Sequence, residues 1–348
     1  MIYTWLNPAW QRLQETRGQL HHALLVHGPA GIGKRRFAEV FAQSLICASP
    51  GERGFPCGQC ADCRWFVQGT HPDFRLLTPE SLRADSANSD DAASEDSVRG
   101  ERKASSQITI EQVRELQELF SLTAHKTNGY RVVLIQPAET MNAAASNALL
   151  KVLEEPPTRS VFLLVTDDIR RLLPTTLSRC RRYPLPAVDR KQALDWLKTQ
   201  GLDDAEVLLA QAGGAPVTAL ALADSEGREE RRQFLDQLTR LAGPGTALEL
   251  ATAAQKIPLQ TVMRWLLTWC YDLMAVRLAG TVRYHLDYSQ QISSLAPRLA
   301  MDQWLIYQDL LKTAARSVAH PLNPRLFLEQ LLLSYSQAIT TSSIRGHD

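Results

Sequence analysis

The sequence predicts an α/β domain built on a parallel sheet, followed by a chain that is entirely helical. Three short apolar runs support the first half of this prediction, at residues 23–26, 130–135 and 160–166. Helical stretches separate them, and continuous apolar runs in such an alternation are typical of strands buried on both faces of a parallel sheet. From about residue 190 onward such runs stop, and amphipathic helical patterns replace them.

The helices are predicted from apolar spacing and from the residues that end them. Residues 35–47 follow a glycine-rich loop with helical spacing, and residues 142–155 do so until Pro156 and Pro157, which cannot extend a helix. Residues 191–200 form a further short helix. The sequence therefore predicts three domains: α/β over residues 1–185, a small helical domain over residues 186–227 and an all-α domain over residues 228–348.

One segment of the first domain does not fit a packed core. Residues 83–106 are rich in Ser, Ala, Asp and Glu, with no aromatic residue and a single valine. Such a segment cannot bury enough apolar surface to offset the entropy lost on ordering the chain. We expect it to be a mobile surface insertion.

The bulk composition is that of an ordinary globular protein, with 45% of the 348 residues apolar and 22% charged. The formal net charge of +1 gives no strong overall attraction to nucleic acid, although a local basic face stays open. We expect a cytoplasmic protein, because the sequence shows neither an apolar stretch long enough to span a membrane nor a secretory signal. Its cysteines should then be reduced thiols or metal ligands.

Four cysteines have the spacing of a metal site. Cys57, Cys60 and Cys63 form a C-x-x-C-x-x-C run, and Cys47 lies ten residues upstream. Four thiolates suit tetrahedral zinc, and the two-residue gaps let neighbouring thiolates turn onto one ion. Unconnected thiols and a redox C-x-x-C pair are the alternatives, and we favour zinc. Because protein fills all four positions, we expect this zinc to be structural rather than catalytic.

The stretch HGPAGIGKRRF contains a phosphate-binding loop of the form G-x-x-x-x-G-K. Gly28, Gly31 and Gly33 would let backbone N–H groups approach phosphates, and Lys34 would neutralise the phosphate charge. A working loop continues with Ser or Thr, whose hydroxyl holds Mg²⁺. This chain has Arg35 there, and a guanidinium has no lone pair to offer a cation.

The strand that should complete the nucleotide site also lacks its metal-holding residue. In an ATPase such a strand ends in an acidic residue that assists the Mg²⁺. Residues 132–135 are followed instead by Gln136, and Glu139 lies further along than the motif requires. We therefore predict that the loop does not hydrolyse ATP and persists because it shapes the strand-to-helix turn. Nucleotide binding without hydrolysis is a second, less favoured interpretation.

Several motifs together resemble one family. NALLKVLEEPP at residues 147–157 and LSRC at residues 177–180 resemble the clamp-loader branch of the AAA+ ATPases. With the four cysteines after the loop helix, the chain is similar to bacterial DNA polymerase III clamp-loader subunits. Its degenerate loop favours the delta-prime type over the ATP-hydrolysing gamma/tau type. The resemblance covers nearly the whole chain, and it implies an AAA+ domain, a helical lid domain and a helical collar that joins subunits.

The resemblance also implies an arginine finger at Arg179, in the Ser-Arg-Cys motif, that reaches the ATP of a neighbouring subunit. A planar, permanently charged guanidinium stabilises the charge that accumulates on transferred phosphoryl oxygens. An ordinary ion pair is the alternative role, since Arg181 and Arg182 form a basic cluster beside it. In ATP-hydrolysing relatives, an arginine in a Gly-x-x-Arg stretch contacts the nucleotide of its own subunit. This chain has Val217 at that position. The resemblance therefore implies a chain that completes the ATPase site of a neighbouring subunit.

The resemblance implies gamma/tau-type ATPase subunits and a delta subunit as partners, and also a sliding clamp, primed DNA and no membrane. Lys151 lies on the helix that family members turn toward DNA, although a plain surface lysine is the alternative. Two competing functions stay open: an ATPase in its own right, and a zinc-containing DNA-binding module. Nucleotide hydrolysis by the isolated chain would support the former, and salt-dependent DNA affinity would support the latter.

Overall fold

A computed structural model of the chain describes residues 1–82, 105–121, 129–241, 243–318 and 322–340. The predicted mobile insertion, residues 83–106, falls almost entirely outside these ranges. The chain divides into two compact units, Met1–Asp189 and Arg190–Asp348. The finer division into three domains stays a prediction. Across the described ranges, no helix is long and apolar enough to cross a membrane.

The first unit contains a five-stranded parallel sheet. Its strands are β1 (Ala23–His27), β2 (Phe74–Leu77), β3 (Arg131–Ile135), β4 (Ser160–Thr166) and β5 (Arg181–Pro184). They lie in the order β2-β3-β4-β1-β5, and every neighbouring pair is parallel. The three strands predicted from apolar runs are β1, β3 and β4, which form the centre of the sheet, and β4 is buried along its whole length. The predicted fold class, with a helical second half, is confirmed.

Helices connect and cover these strands. Those described in the first unit are α1 (Asn7–Glu15), α2 (Lys34–Ile46), α3 (Ala61–Val67), α4 (Ile110–Ser121), α5 (Ala143–Glu154) and α6 (Pro174–Leu177). The side chain of Asn142 caps α5 by accepting a hydrogen bond from the Ala145 amide at 2.8 Å. The helix ends two residues before Pro156, as the sequence predicts.

The sequence analysis missed β2 and β5, which lie at the two edges of the sheet. β5 has the sequence Arg-Arg-Tyr-Pro, and three of its four residues are exposed. An edge strand has a neighbour on one side only, so its side chains need not be apolar. The apolar-run signal that identifies the central strands is therefore absent from β5.

The second unit is helical throughout its described residues. Its helices are α7 (Arg190–Thr199), α8 (Ala205–Gln211), α9 (Pro216–Ala221), α10 (Ser225–Thr239), α11 (Pro244–Ala254), α12 (Leu259–Ala279), α13 (Ser289–Leu295), α14 (Met301–Ser317) and α15 (Pro324–Thr340). The first three contact one another, and one apolar core runs through the helices from α10 to α15. Trp269 on α12 donates its indole N–H to the Tyr335 hydroxyl on α15 at 2.7 Å, which satisfies both polar groups inside that core.

A buried histidine lies at one end of this helical core. His285 Nδ1 is 2.7 Å from Arg231 Nη2, so this nitrogen accepts, and Nε2 is 3.0 Å from the Thr268 hydroxyl. The hydroxyl itself donates to the Arg264 carbonyl, so Nε2 is the nitrogen that carries the proton. Burial, and then the charge of Arg231, lower the His285 pKa from 6.5 to about 3.

This histidine should make the chain sensitive to mild acid. Between pH 6.5 and 3 the unfolded chain binds a proton that the folded chain does not, so stability is lost as pH falls below 6.5. From pH 7 to pH 5 we expect a loss of about 2 kcal/mol in the free energy of unfolding from His285 alone. Urea unfolding at both pH values, compared with His285→Gln, measures it. An equal loss in the two proteins would contradict the assignment.

Candidate functional site

The glycine loop joins β1 to α2, and close packing explains two of its glycines. A side chain at Gly28, whose φ is 153°, would lie 2.5 Å from the carbonyl oxygen of Leu185. A side chain at Gly33, whose φ is 94°, would collide with the ring of Tyr3. The Tyr3 ring also stacks on Trp5, with ring centroids 4.8 Å apart. The predicted loop therefore exists as a tight turn with an aromatic pair packed against it.

Lys34 is fully engaged inside the loop. Its ammonium donates to the carbonyls of Gly28, at 2.8 Å, and Pro29, at 2.5 Å. It also lies 2.5 Å from Oδ1 of Asp167, and the lysine side chain is only 3% exposed. An ammonium has three N–H donors, and three oxygens of the chain surround this one. The lysine is thus neutralised and hydrogen-bonded without a phosphate.

Arg35 and Gln136, which the sequence analysis predicts to stand where an ATPase has metal-holding groups, have different surroundings. Arg35 is exposed and pairs with Glu39 one turn along α2, with 2.8 Å between Nε and Oε1. Gln136, at the end of β3, is buried, and its Oε1 has no hydrogen-bond partner among the described residues. Glu139 accepts a hydrogen bond from the Asp167 amide at 3.2 Å, which brings its carboxylate near the Lys34–Asp167 pair.

Asp167 is a site residue that the sequence analysis missed. It follows β4 directly, and the last residues of β1 and β4, His27 and Thr166, pair in register. Whatever follows β4 must therefore lie beside the loop that follows β1. The sequence shows where each strand ends, but this neighbour relation becomes visible only once the strand order is known.

Arg179 lies at the surface just before β5. Its neighbour Cys180 is buried in the core of the first unit, and burial raises the pKa of this thiol to about 11. The Arg179 side chain is 33% exposed. Its Nη1 donates to the Thr175 carbonyl at 3.0 Å and to the Ser178 hydroxyl at 3.2 Å, and its Nη2 contacts Glu154 Oε1. Cys180 thus anchors the backbone, while the guanidinium stays at the surface.

The loop and Arg179 lie at opposite ends of the strands, the loop at their carboxyl-terminal ends and Arg179 at their amino-terminal ends. β1 and β5 are parallel, and Leu24 near the start of β1 pairs with Arg181. Arg179 comes two residues before Arg181 and is therefore beside the amino-terminal end of β1. The loop begins after His27, at the carboxyl-terminal end. The length of β1, roughly 15 Å at about 3.3 Å per residue, separates the loop from Arg179.

The structure brings the four predicted cysteines into one cluster. Their sulfurs all lie within 4.8 Å of one another, and Cys47 Sγ is 3.5 Å from Cys57 Sγ and 3.9 Å from Cys60 Sγ. Four thiolates at 2.3 Å from a tetrahedral ion would be about 3.8 Å apart, so the cluster fits a metal ion. Cys47 follows the end of α2, and Cys60 and Cys63 lie at the start of α3.

Backbone amides already point at these sulfurs. The amides of Cys57, Cys60 and Cys63 donate to the sulfurs of Cys47, Cys57 and Cys60 respectively, each at 3.4 Å. Amides at Gln59 and Cys60 lower the pKa of Cys57 to about 6. Burial raises the pKa of Cys63 and of Cys47. The site therefore offers backbone N–H donors that stabilise thiolates.

Both units match known protein families. The family described as DNA polymerase III, delta subunit, matches residues 7–189, and the family described as DNA polymerase III, delta subunit, C terminal, matches residues 225–337. A phosphate-type loop on a parallel α/β unit, followed by a helical unit, is thus the architecture of a recognised class. The chain belongs to the DNA polymerase III delta subunit family.

Individual relatives and one solved structure are similar to this chain. DNA polymerase III subunit delta' of Pseudomonas aeruginosa is 35% identical, over 96% of this chain and 97% of the relative. The subunit of the same name from Escherichia coli is 29% identical, over 86% and 84%. DNA polymerase III subunit tau/gamma of Haemophilus influenzae is 33% identical over 50% of this chain and 21% of its own length. A solved gamma subunit-related protein from Thermotoga maritima has 16% identity, covers 95% of this chain and 98% of its own, and gives a TM-score of 0.41.

The contacts of Lys34 predict a structural role that substitution can measure. Lys34→Met keeps an unbranched, flexible side chain, one heavy atom shorter, but leaves two carbonyls and a carboxylate without their donor. We expect the free energy of unfolding to fall by about 1–3 kcal/mol. Lys198→Met, at an exposed position of α7, is the matched control and should change stability little. Equal urea midpoints for the two variants would show that the buried contacts contribute nothing.

Proposed function

We propose that this chain is a clamp-loader subunit of the replicative DNA polymerase that supplies Arg179 to the ATP of a neighbouring gamma/tau-type subunit. The observation that carries the proposal is the separation of Arg179 from the chain's own loop by the length of β1. An arginine at the amino-terminal ends of the strands cannot reach phosphates bound at the carboxyl-terminal ends of the same sheet. It is, however, at the surface, where a second subunit can meet it.

The chemistry required of Arg179 is within the capacity of a guanidinium. Charge builds on the equatorial oxygens of the γ-phosphoryl group in the transition state, and a permanently charged planar donor stabilises it there. Arginine fingers supplied in this way accelerate hydrolysis by about 10³–10⁵. Cys180, anchored in the core, would fix the backbone from which the finger extends.

The state of the chain's own loop supports a non-hydrolysing subunit. Lys34 is saturated by two carbonyls and by Asp167, so a nucleotide would have to displace the carboxylate before it could bind the ammonium. Arg35 points along α2 to Glu39 and offers no ligand for Mg²⁺. Val217, in α9, leaves the small helical region without the own-site arginine of active relatives.

One observation favours a second candidate, an ATPase in its own right. Asp167 pairs with Lys34, and Glu139 accepts from the Asp167 amide, so two carboxylates lie near the loop, where a metal ion would be needed. Asp167 is engaged by Lys34, and Glu139 Oε1 by the Asp167 amide, whereas Glu139 Oε2 is buried without a hydrogen-bond partner among the described residues. Steady hydrolysis by the isolated chain, abolished by Glu139→Gln, would favour this candidate over the first.

The partners follow from the proposed role and from the names of the relatives. Gamma/tau-type subunits would supply the ATP that Arg179 meets, and a delta subunit, the sliding clamp and primed DNA would complete the assembly. Lys151 is exposed on α5, where it is available to DNA. A cytoplasmic location and a collar role for the C-terminal helices, α10 to α15, belong to the same proposal. A separate role as a zinc-containing DNA-binding module has only the cysteine cluster in its favour.

We assign the cysteine cluster to a structural zinc ion. The donor set is four sulfurs at tetrahedral spacing. Soft sulfur donors select zinc over cations that favour oxygen ligands. Cys47, Cys57, Cys60 and Cys63 would hold the ion and leave no position open for a water. When bound, the ion would join the end of α2 to the start of α3, because these residues contribute its ligands.

The zinc assignment predicts one zinc per chain in protein purified without chelator. Elemental analysis measures the metal, and titration with a thiol reagent should find the four cluster cysteines protected. Cys60→Ser should lose the metal and lower the thermal midpoint, because binding energy at such sites is folding energy. Cys270→Ser is the control that alters a buried thiol outside the cluster and should keep the metal. Metal-free protein with four titratable cluster thiols would refute the assignment.

The finger assignment predicts a partial loss of ATP hydrolysis in the reconstituted loader. Arg179→Ala should leave fold and assembly intact, because a half-exposed ion pair contributes little to stability. It should lower DNA-dependent hydrolysis at the one site that this chain completes, and other sites should continue. Arg179→Lys should not restore the rate, since an ammonium lacks the planar fork. Arg181→Ala, two residues away, is the matched control. A wild-type rate in an intact Arg179→Ala complex would remove the proposed function.

A further inference from the structure

We propose that Glu154 is a positioning residue that holds Arg179 ready for the neighbour's ATP. The inference rests on the proposed function, since it concerns how the finger is presented. Glu154 is the last residue of α5. Its Oε1 contacts Nη2 of Arg179, twenty-five residues further along the chain. The pair joins the end of α5 to the turn that follows the short helix α6 and contains Arg179.

The contacts around Arg179 hold the guanidinium in place and leave some of its N–H donors available. Nη1 donates to the Thr175 carbonyl and to the Ser178 hydroxyl, and Nη2 donates to Glu154. A guanidinium has five N–H donors, so two remain. A two-point contact with a phosphate needs two donors. The arrangement therefore restrains a long flexible side chain while leaving enough donors to bind the phosphate.

Glu154 is the one charged group among these three contacts, and its position is otherwise unfavourable. A carboxylate at the last residue of a helix lies next to the partial negative charge of the helix end. Glu155, the next residue, adds a second carboxylate there. The cation of Arg179 offsets this repulsion for Glu154. Thr175 and Ser178 lie within four residues of the arginine, so of these three contacts Glu154 is the one that fixes the guanidinium to a distant part of the chain.

The expected effect is on the rate of hydrolysis rather than on folding. The Arg179 and Glu154 side chains are 33% and 50% exposed, and pairs this exposed contribute little to stability. A free arginine must lose rotamer freedom when it meets the phosphate in the transition state, and an arginine that is already held loses less. Removing Glu154 should therefore slow the chemical step and leave ATP binding by the neighbour unchanged.

The test uses a reconstituted loader in which only the site completed by this chain can hydrolyse ATP. Glu154→Ala should lower kcat about 5- to 10-fold with KM for ATP unchanged, because the finger loses its preorganisation. Glu154→Gln should keep more than half of the rate, since its amide oxygen still accepts from Nη2. Glu155→Ala, which alters the adjacent exposed carboxylate, should behave as wild type. If Glu154→Ala fails to assemble, Glu154→Met carries the same expectation.

A double substitution separates this inference from the proposed function. Glu154→Ala combined with Arg179→Ala should be no slower than Arg179→Ala alone, because Glu154 acts only through the arginine. A further loss in the double variant would overturn the inference. So would a wild-type or faster rate for Glu154→Ala, the latter meaning that Glu154 restrains the finger from ATP. If Arg179→Ala itself hydrolyses at the wild-type rate, the proposed function fails, and the positioning role fails with it.

Discussion

The pairing of β1 with both β4 and β5 is the constraint on which the rest of the site depends. β1 lies between them, with His27 opposite Thr166 of β4 and Leu24 opposite Arg181 of β5. Because all three strands run the same way, the loop after β1 and Asp167 after β4 meet at the carboxyl-terminal ends of the strands. The residues that precede β5 lie at the amino-terminal ends. One sheet thus separates the chain's own phosphate loop from its surface arginine.

The central strands and the clustering of the four cysteines could be predicted from the sequence, because both depend on local signals. The apolar runs of β1, β3 and β4 follow from burial on both faces, and cysteine spacing reports which sulfurs can share an ion. The glycine loop was equally visible, since Gly28 and Gly33 stand at fixed offsets from Lys34. Each of these features is determined by a short segment of chain, and the longest of them, the cysteine set, runs from residue 47 to residue 63.

The partners of those residues could not be predicted in the same way. Asp167 reaches Lys34 across 133 positions of sequence, and Glu154 reaches Arg179 from a different helix. Neither carboxylate carries a local signal that separates it from other acidic surface residues. β5 was missed for a related reason: an edge strand of Arg-Arg-Tyr-Pro has the polarity of a loop. Tertiary neighbours, rather than local pattern, decide the role of each of these residues.

The packing against Gly28 and Gly33 separates the survival of a motif from the survival of its chemistry. The carbonyl of Leu185 and the ring of Tyr3 occupy the space that any side chain at these positions would need. Replacing either glycine would thus disturb the turn between β1 and α2 whether or not a nucleotide ever binds. Arg35 is exposed and is under no such restraint, and it stands at the position where a working loop has a Ser or Thr that holds Mg²⁺. Close packing of one turn is therefore enough to require these two glycines, independently of any nucleotide.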